Sequence, residues 1–546
     1  MAWNYILLLF ITFSLSSCHV IAENVLRTKV VILGAGMTGI TAAKTLHEEG
    51  VHDFVVVEAR SELGELSSFA VPSQFALYQL LFCSSSGGRM QTFTLENGIN
   101  VELGPNWIHG LGRLPSELNP IYSLAIKYNL TTVSSNAEDL ETFDSSGKIN
   151  MNKDLEEVSS AWERYLALAG HRLDNEKADL TARAGFSLSA FKPRNHLQEA
   201  AEYFLFDFTF GQPPEVTSFI GAANNNNYTR GYGFLVQQEA KEFLNASDSR
   251  LALNHVVTSI TYSTEGVQIQ TDKHLTIEAD HAICTFSLGV LQNDDVKFYP
   301  PLPPWKQEAI YGTNMATYTK IFLRFNQSFW AESEFWLYAD PKRRGYYPIW
   351  QPLDLPGFLP GSNTLLVTVT DTEARRIAKQ STEETRAEIM AVLRSMYGKD
   401  IPDPQEIVYK NWHSDPLFRG SYSNWGASYP FDVFRTLREP LYNRLWFAGE
   451  GTSTAFFGFL HACLKLPLSL KSTDGAYLEG QKAAKAVIET LQDHTTGEEY
   501  HHHYKEYSKN QDFNGFSELR SDSLNELRQL IRAGDKLVTN AKAAVN

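Results

Sequence analysis

The stretch from Lys29 to Glu58 constrains what this chain can fold into more than any other. Val30-Val31-Ile32-Leu33 is an apolar run of strand length, Gly34-Ala35-Gly36-Met37-Thr38-Gly39 follows, and Ile40 to Glu49 carries helical spacing. Phe54-Val55-Val56-Val57 then reads as a second strand, closed by Glu58. Strand, glycine turn, helix, strand and terminal acid in that order make one βαβ unit of a dinucleotide fold. Gly34, Gly36 and Gly39 let the turn tighten and let the backbone approach a pyrophosphate, which would sit on the N–H groups of the helix N-terminus. Glu58, an acceptor-only carboxylate, suits the two hydroxyls of an adenosine ribose. The unit alone leaves open which dinucleotide binds and what chemistry it serves.

With 546 residues the chain is long enough for two domains with full cores. A formal net charge of -15 argues against nucleic acid and anionic membrane as partners and suits a cationic ligand. Tyr5 to Leu15 is a short apolar run followed by small residues and Val20-Ile21-Ala22, the pattern of a secretory signal over 1–22. Leu15-Ser16-Ser17-Cys18 also has the form of a lipoprotein box, but the preceding residues lack the Lys or Arg that this alternative calls for. No later run is long enough for a membrane helix, so no stable membrane association is expected. Sequons at Asn129, Asn227, Asn245 and Asn326 fit a secreted glycoprotein. Cys18, Cys83, Cys284 and Cys463 form no CxxC, zinc spacing or disulfide framework, so no metal is expected. Cys284, inside the apolar run His281 to Phe286, is expected as a buried core thiol.

Coarse periodicity marks strand-like stretches at Gln91–Val101, Leu251–Gln270, His274–Cys284 and Thr317–Phe325. Gln198–Asp207, Glu383–Tyr397 and Gly480–Leu491 have amphipathic helical spacing. Beyond Gln492 the chain turns polar, with His501-His502-His503 and scattered charges, and 493–546 reads as a solvated tail.

Gly88-Arg89-Met90 followed by Glu102-Leu103-Gly104-Pro105-Asn106-Trp107 resembles the flavin-containing amine oxidases, and within them the polyamine oxidases. Further matches are Ser287-Leu288-Gly289-Val290-Leu291, Leu302-Pro303-Pro304-Trp305-Lys306 and Tyr318-Thr319-Lys320-Ile321-Phe322-Leu323. Gly420-Ser421-Tyr422-Ser423-Asn424-Trp425, Phe447-Ala448-Gly449-Glu450 and Gly475-Ala476-Tyr477-Leu478 continue them, so the resemblance covers roughly Lys29 to Leu491. It implies an α/β (α+β mixed) architecture: a Rossmann-like FAD/NAD(P)-binding domain plus a discontinuous substrate domain of mixed sheet and helices. The FAD domain would combine 25–120, 245–311 and 425–492; the substrate domain would combine 121–244 and 312–424.

The resemblance also implies an activity: FAD-dependent oxidation of a polyamine beside a secondary amine, with O2 reduced to hydrogen peroxide. Lys320 matches the lysine that holds a water near flavin N5, and Tyr422 and Phe459 match two aromatics flanking the substrate. For the cofactor, Gly34, Gly36 and Gly39 would line the pyrophosphate, Glu58 the ribose, and Arg89 the phosphate or flavin side. Val257 would meet the adenine through its backbone, Glu450 the ribityl or pyrophosphate end, and Leu460 the pyrimidine ring. Thr454-Ala455-Phe456-Phe457 stands where monoamine oxidases have their flavin-linking cysteine, so FAD would be noncovalent. His109 and Thr209 depart from plant polyamine oxidases, which have acids at both positions; His109 resembles non-plant members. His109 is then either a binder of the distal amine or proton relay, or a hydrogen-bonded structural residue. With no acid at Thr209, Tyr318 and Phe210 would contribute to holding the far ammonium.

Two segments interrupt the pattern. Residues 65–87 separate Leu63-Gly64 from Gly88-Arg89, and 462–474 separate His461 from Gly475. Codons for Gly64-Glu65-Leu66 can contain an intron donor, and those for Phe82 to Gly87 a pyrimidine tract ending in CAG, so the first reads as translated intron. The second is a loop or a second such segment. Two rivals remain at this stage: an oxidase of monoamines or L-amino acids, and an inactive homologue whose insertions disturb the flavin site.

Overall fold

The computed structural model describes residues 24–61, 88–108, 119–175, 177–223, 233–245, 247–427, 433–453 and 476–492. The signal, both interruptions, the tail, Asn227 and three of the cysteines fall outside them.

The βαβ unit forms as its sequence requires. β1 (Asn24–Leu33), α1 (Met37–Glu48) and β2 (Phe54–Val57) follow one another, and β1 and β2 run parallel with Val30 opposite Phe54 and Leu33 opposite Val57. These residues are buried on both faces of the sheet, which explains unbroken apolar runs in place of alternation. Gln91–Val101, expected as one strand, is instead the hairpin β3 (Thr92–Thr94) and β4 (Asn100–Glu102). Glu96-Asn97-Gly98 turns the chain there, with Gly98 N donating to Leu95 O and Ile99 N to Asn97 Oδ1.

α2 (Pro120–Lys127) is capped by Asn119, whose side chain accepts from Ile121 N and Tyr122 N. β5 (Leu140–Asp144), β6 (Gly147–Ile149), α3 (Asn152–Asp174), α4 (Ala182–Leu188) and α5 (His196–Glu202) come next. Gln198–Asp207 does not remain α-helical throughout. α5 passes into a π-turn over Tyr203–Asp207 and then a single turn, α6 (Phe208–Phe210), stopped by Gly211 at φ +65°. After α7 (Phe219–Ala222) and α8 (Gly233–Lys241), the strand-like stretch from Leu251 divides into β7 (Leu251–Ala252), β8 (Val257–Tyr262) and β9 (Val267–Thr271). β10 (Leu275–Cys284), α9 (Leu288–Leu291), β11 (Lys297–Tyr299), α10 (Pro304–Gly312), β12 (Asn314–Ala316) and β13 (Tyr318–Arg324) follow. Next come β14 (Phe335–Ala339), β15 (Ile349–Pro352), β16 (Thr364–Thr370) and α11 (Asp371–Ile377). α12 (Thr382–Tyr397) opens on a Ser381/Glu384 capping box. β17 (Glu406–Tyr409), β18 (Tyr422–Asn424), α13 (Val433–Arg438), β19 (Leu445–Phe447) and α14 (Ala476–Gln492) complete the order.

Two sheets organise these elements. The first runs β11-β8-β9-β10-β1-β2-β7, with β19 against β10; the second runs β17-β13-β16-β15-β14-β5-β6. The first takes strands from three separate stretches of chain and the second from two, so the backbone passes repeatedly between them. Cores fill both faces of the first sheet. On one, Val30, Ile32 and Ile40 meet Val487 of α14, and on the other Val31 and Leu33 meet Ile260, Ile277 and Leu445. α2 and α8 lie in stretches expected on the substrate side, yet Ile121, Leu124, Leu235 and Val236 pack into the first of these cores. Cys284 is a buried free thiol, and burial pushes its pKa up to about 12.

Lys306 of the Leu-Pro-Pro-Trp-Lys motif is fully buried and caps the C-terminus of α13. Its ammonium donates to Thr436 O (2.9 Å), Leu437 O (2.8 Å) and Glu439 O (2.5 Å). Burial lowers its pKa to about 7, while three carbonyls at a helix C-terminus keep its proton engaged. Its role is architectural.

Candidate active site

A cavity of about 550 Å³ extends from the glycine turn after β1 to the aromatic wall beside β13. At the first end Gly34 stands at φ +108°, and a Cβ there would lie 2.7 Å from Thr285 Oγ1. A Cβ on Gly39 would fall 1.9 Å from Gly34 O, so α1 can rest on the turn only without one. α1 has no side-chain cap and no acid in its first turn. Such a terminus, facing a cavity, favours an anion. Glu58 lines the same end and is oriented by the turn itself. Its Oε2 accepts from Ala35 N (2.8 Å) and its Oε1 from Arg60 N (3.1 Å). Val257, at the start of β8, lines this end beside Val256 and His255.

Arg89 and Glu450 sit along the middle and meet each other at 2.8 Å. Arg89 also donates to Ser421 O (2.9 Å), while Glu450 accepts from Ser423 N (3.1 Å) and the Ser423 hydroxyl. The two residues, expected to touch different parts of the cofactor, therefore act as one tie joining three distant segments. Arg89 keeps further N–H donors for an anion. Gly36, Gly88 and Gly449 leave the wall without side chains, and a Cβ on Gly449 would meet nothing within 4 Å. A bare-backbone trough, an uncapped helix terminus and an oriented acid at its far end fit an elongated dinucleotide such as FAD.

Lys320 points from β13 into the opposite end and is 4% exposed. Its ammonium donates to Glu102 O (2.7 Å), Gly104 O and Asn106 Oδ1. The Glu-Leu-Gly-x-Asn run thus exists to surround one buried cation with acceptors. Tyr318 and Tyr422 stand nearby with ring centroids 6.2 Å apart, Phe208 lies 6.0 Å from Tyr318, and Trp107 is edge-on to Phe208 at 6.0 Å. Thr209 and Phe210 line the same wall. Tyr422 OH donates to Thr209 O (3.2 Å) and Asn424 Nδ2 to Phe210 O (2.8 Å), so β18 fastens α6 in place. Gly211 lets that happen, since a Cβ there would sit 2.5 Å from the Tyr422 hydroxyl.

The cavity thus joins Gly34, Gly36, Glu58, Arg89, Val257, Glu450, Lys320, Tyr422, Tyr318, Thr209 and Phe210. Gly39 supports it from beneath. His109, Phe459 and Leu460 lie outside the described residues. The structure also places Asn106, Trp107, Phe208, Ser421 and Ser423 in the cavity wall, residues to which the motifs alone assign no role. Asn106 carries no local signal of its part, because the lysine it accepts from lies 214 residues away in the chain.

Residues 85–466 match the family model described as flavin containing amine oxidoreductase, and residues 32–78 match an NAD(P)-binding Rossmann-like domain. The chain belongs to the flavin-containing amine oxidoreductases. This amine oxidoreductase is 34% identical over 503 residues to polyamine oxidase 1 of Zea mays, covering 85% of this chain and 91% of that protein. It is 36% identical over 491 residues to polyamine oxidase 7 of Oryza sativa subsp. japonica, covering 83% and 93%. Its fold is shared with a solved putrescine oxidase bound to putrescine, at TM-score 0.64 and 17% identity over 85% of this chain and 99% of that one. The flavin amine oxidoreductase is thus an FAD-dependent amine oxidase with a mixed α/β fold, as its motifs imply.

Proposed function

We propose that this amine oxidase acts on polyamines, oxidising a carbon beside a secondary amine in spermine, spermidine or their acetylated forms. The carrying observation is the single cavity that runs from the dinucleotide trough to an aromatic wall with Lys320 at its edge. When bound, FAD supplies the ring that accepts a hydride equivalent from that carbon and passes two electrons to O2, giving hydrogen peroxide. Gly34, Gly36, Glu58, Arg89 and Val257 would hold it, and noncovalent attachment follows from the absence of cysteine between Thr454 and Phe457.

Tyr318, Tyr422, Phe208 and Trp107 form a desolvating cage that favours the neutral amine, the form whose lone pair drives the reaction. Lys320 carries three N–H bonds against three acceptors, so it engages a water only by sharing or releasing one of them. The Asn106 amide is the acceptor free to rotate, the other two being backbone carbonyls. Through such a water Lys320 would serve hydrolysis of the released imine to an aldehyde and an amine.

An amino-acid substrate fits less well. The described arginines lining the cavity are Arg60, stacked over Phe418, and Arg89, tied to Glu450. Neither stands at the aromatic end to receive a carboxylate. Secretion belongs to the same reading: Asn129, Asn245 and Asn326 are all exposed, as glycosylation requires, and no described helix is long and apolar enough to cross a membrane. A peroxide assay across spermine, spermidine, N-acetylspermine, a monoamine and L-amino acids tests the proposal. Preference for a monoamine or an amino acid would overturn it, and the products from spermidine and N-acetylspermine identify the side of the nitrogen attacked.

A further inference from the structure

The turn between β7 and β8 runs along the exit of β2. Glu58 N donates to Ala252 O (2.9 Å), Asn254 N to Arg60 O (2.8 Å) and His255 N to Glu58 O (3.0 Å). Asn254 makes the bend at φ +61°, a left-handed conformation that asparagine tolerates. The bend brings His255 beside Glu58, and both line the dinucleotide end of the main cavity. The tautomer of His255 follows from Thr271. That threonine is buried and its Oγ1 accepts from Leu275 N (3.3 Å), so its hydroxyl hydrogen needs an acceptor of its own. Among the described residues His255 Nδ1, 3.1 Å away, is the acceptor in reach. Nδ1 therefore accepts, and the ring proton sits on Nε2, which no described residue engages. Burial first, then Lys273, lower the pKa of His255 against the opposing pull of Asp272, so the ring is neutral at pH 7.

We propose that His255 is a cofactor-binding residue that donates Nε2–H to an acceptor on the adenosine half of FAD, while Glu58 accepts from the ribose hydroxyls of the same half. The inference rests on the FAD reading of the main cavity. The two side chains are complementary, because the Glu58 carboxylate only accepts and the outer nitrogen of His255 only donates. An adenosine presents both kinds of partner: ribose hydroxyls that donate, and ring nitrogens and ribose oxygens that accept. Arg60, the other polar side chain in this turn, is drawn over the Phe418 ring at 4.9 Å. The backbone bond from His255 to Glu58 holds the two groups at a fixed spacing, so the pair reads a nucleoside and not a bare phosphate, which Glu58 repels. A flavin mononucleotide has no adenosine half and leaves the pair unused.

Two substitutions separate this role from a structural one. His255→Gln keeps an N–H near the Nε2 position and gives up the bond to Thr271, whereas His255→Asn keeps a partner for Thr271 and gives up the outer donor. The readouts are the rate of FAD release from diluted holoenzyme, retitration of the stripped protein with FAD by flavin fluorescence and with ADP by calorimetry, and Tm with and without FAD. In His255→Asn the Kd for FAD and for ADP should rise about fivefold, with faster FAD release. Its Tm without FAD should match wild type, and the gain in Tm on adding FAD should shrink. His255→Gln should stay within twofold of wild type in both Kd values and in the release rate. Wild-type affinity in His255→Asn would overturn the proposal. So would a loss in His255→Gln at least as great as in His255→Asn, which would make the bond to Thr271 the one that matters. A loss for FAD with none for ADP would place the contact outside the adenosine half and overturn it equally. If wild type binds neither FAD nor ADP, the FAD reading of the cavity falls with it.

Discussion

Lys320 shows how the same residue type takes opposite meanings by position. Lys306 and Lys320 are both buried lysines, but Lys306 spends its donors on the end of a helix, whereas Lys320 lines the cavity among acceptors drawn from the β4 end. Replacing Lys320 with Met keeps its length and apolar stem while removing the cation. kcat for polyamine should fall by roughly 100-fold or more, with flavin absorbance of the purified variant unchanged. Stopped-flow reduction and peroxide release would check it. His281 offers a residue-level test of stability. It is buried in β10 near Arg444, and burial first, then that guanidinium, lower its pKa to about 4. The folded state prefers the neutral ring, and the unfolded chain takes up a proton near pH 6.5. Stability is therefore lost as pH falls from about 6.5 toward 4, by on the order of 3 kcal/mol from this group. In His281→Gln, which cannot titrate, the fall in Tm between pH 7 and pH 5 should be visibly smaller.

At the scale of elements, the segment from α5 to α6 is where architecture meets chemistry. Its π-turn ends at Asp207, held by both oxygens on Arg344 (2.5 and 2.7 Å), which also reaches Glu202 (3.0 Å). Arg183 closes the group from α4 on Glu202 and Glu215. Tyr203 adds a buried hydroxyl bound to Thr370 of β16. These anchors fix the helical stretch on one side while Tyr422 and Asn424 fix the following turn on the other, so Phe208, Thr209 and Phe210 face the cavity in one conformation. π-turns recur at functional sites because they re-aim the residues that follow. Arg344→Met would leave Asp207 a buried carboxylate without its cation, at a cost of about 3–5 kcal/mol. The pair Arg344→Met with Asp207→Leu should lose less, because no charge is stranded. Thermal melts of the two variants would show the double above the single; the reverse order would mean that Arg344 acts by packing alone.

The whole molecule carries a formal charge of -15, which bears on encounter and not on the chemical step. A tetracationic amine approaching such a surface is attracted over distances that salt screens, about 10 Å at 0.1 M ionic strength. kcat/KM for spermine should therefore decline as NaCl rises from 20 to about 300 mM, by a larger factor than for a monocation, while kcat changes little. A salt series at fixed pH reads this directly, and parallel declines for both amines would remove long-range attraction as the cause.

Much of this protein was legible in the chain itself. The βαβ unit is local: its strand runs, glycine turn and closing acid lie within thirty residues, and each is dictated by backbone sterics and burial. α12 and α14 were legible for the same reason, being periodic and, for α12, capped. Even Cys284 followed from its apolar surroundings. Tertiary structure alone decided the rest. The π-turn rests on anchors supplied by Arg344 and Thr370, and the place of α2 and α8 on a core gathered from remote segments, whereas the hairpin inside Gln91–Val101 follows from its local Asn97-Gly98 turn. The tie between Arg89 and Glu450 spans most of the chain, and Lys320 gains its acceptors from a hairpin more than two hundred residues earlier. Local propensity carries no information about such pairs. Sequence determined which chemistry-bearing residues exist and what each can do, and the fold decided which of them meet, because hydrogen bonds and buried charges are settled by neighbours in space.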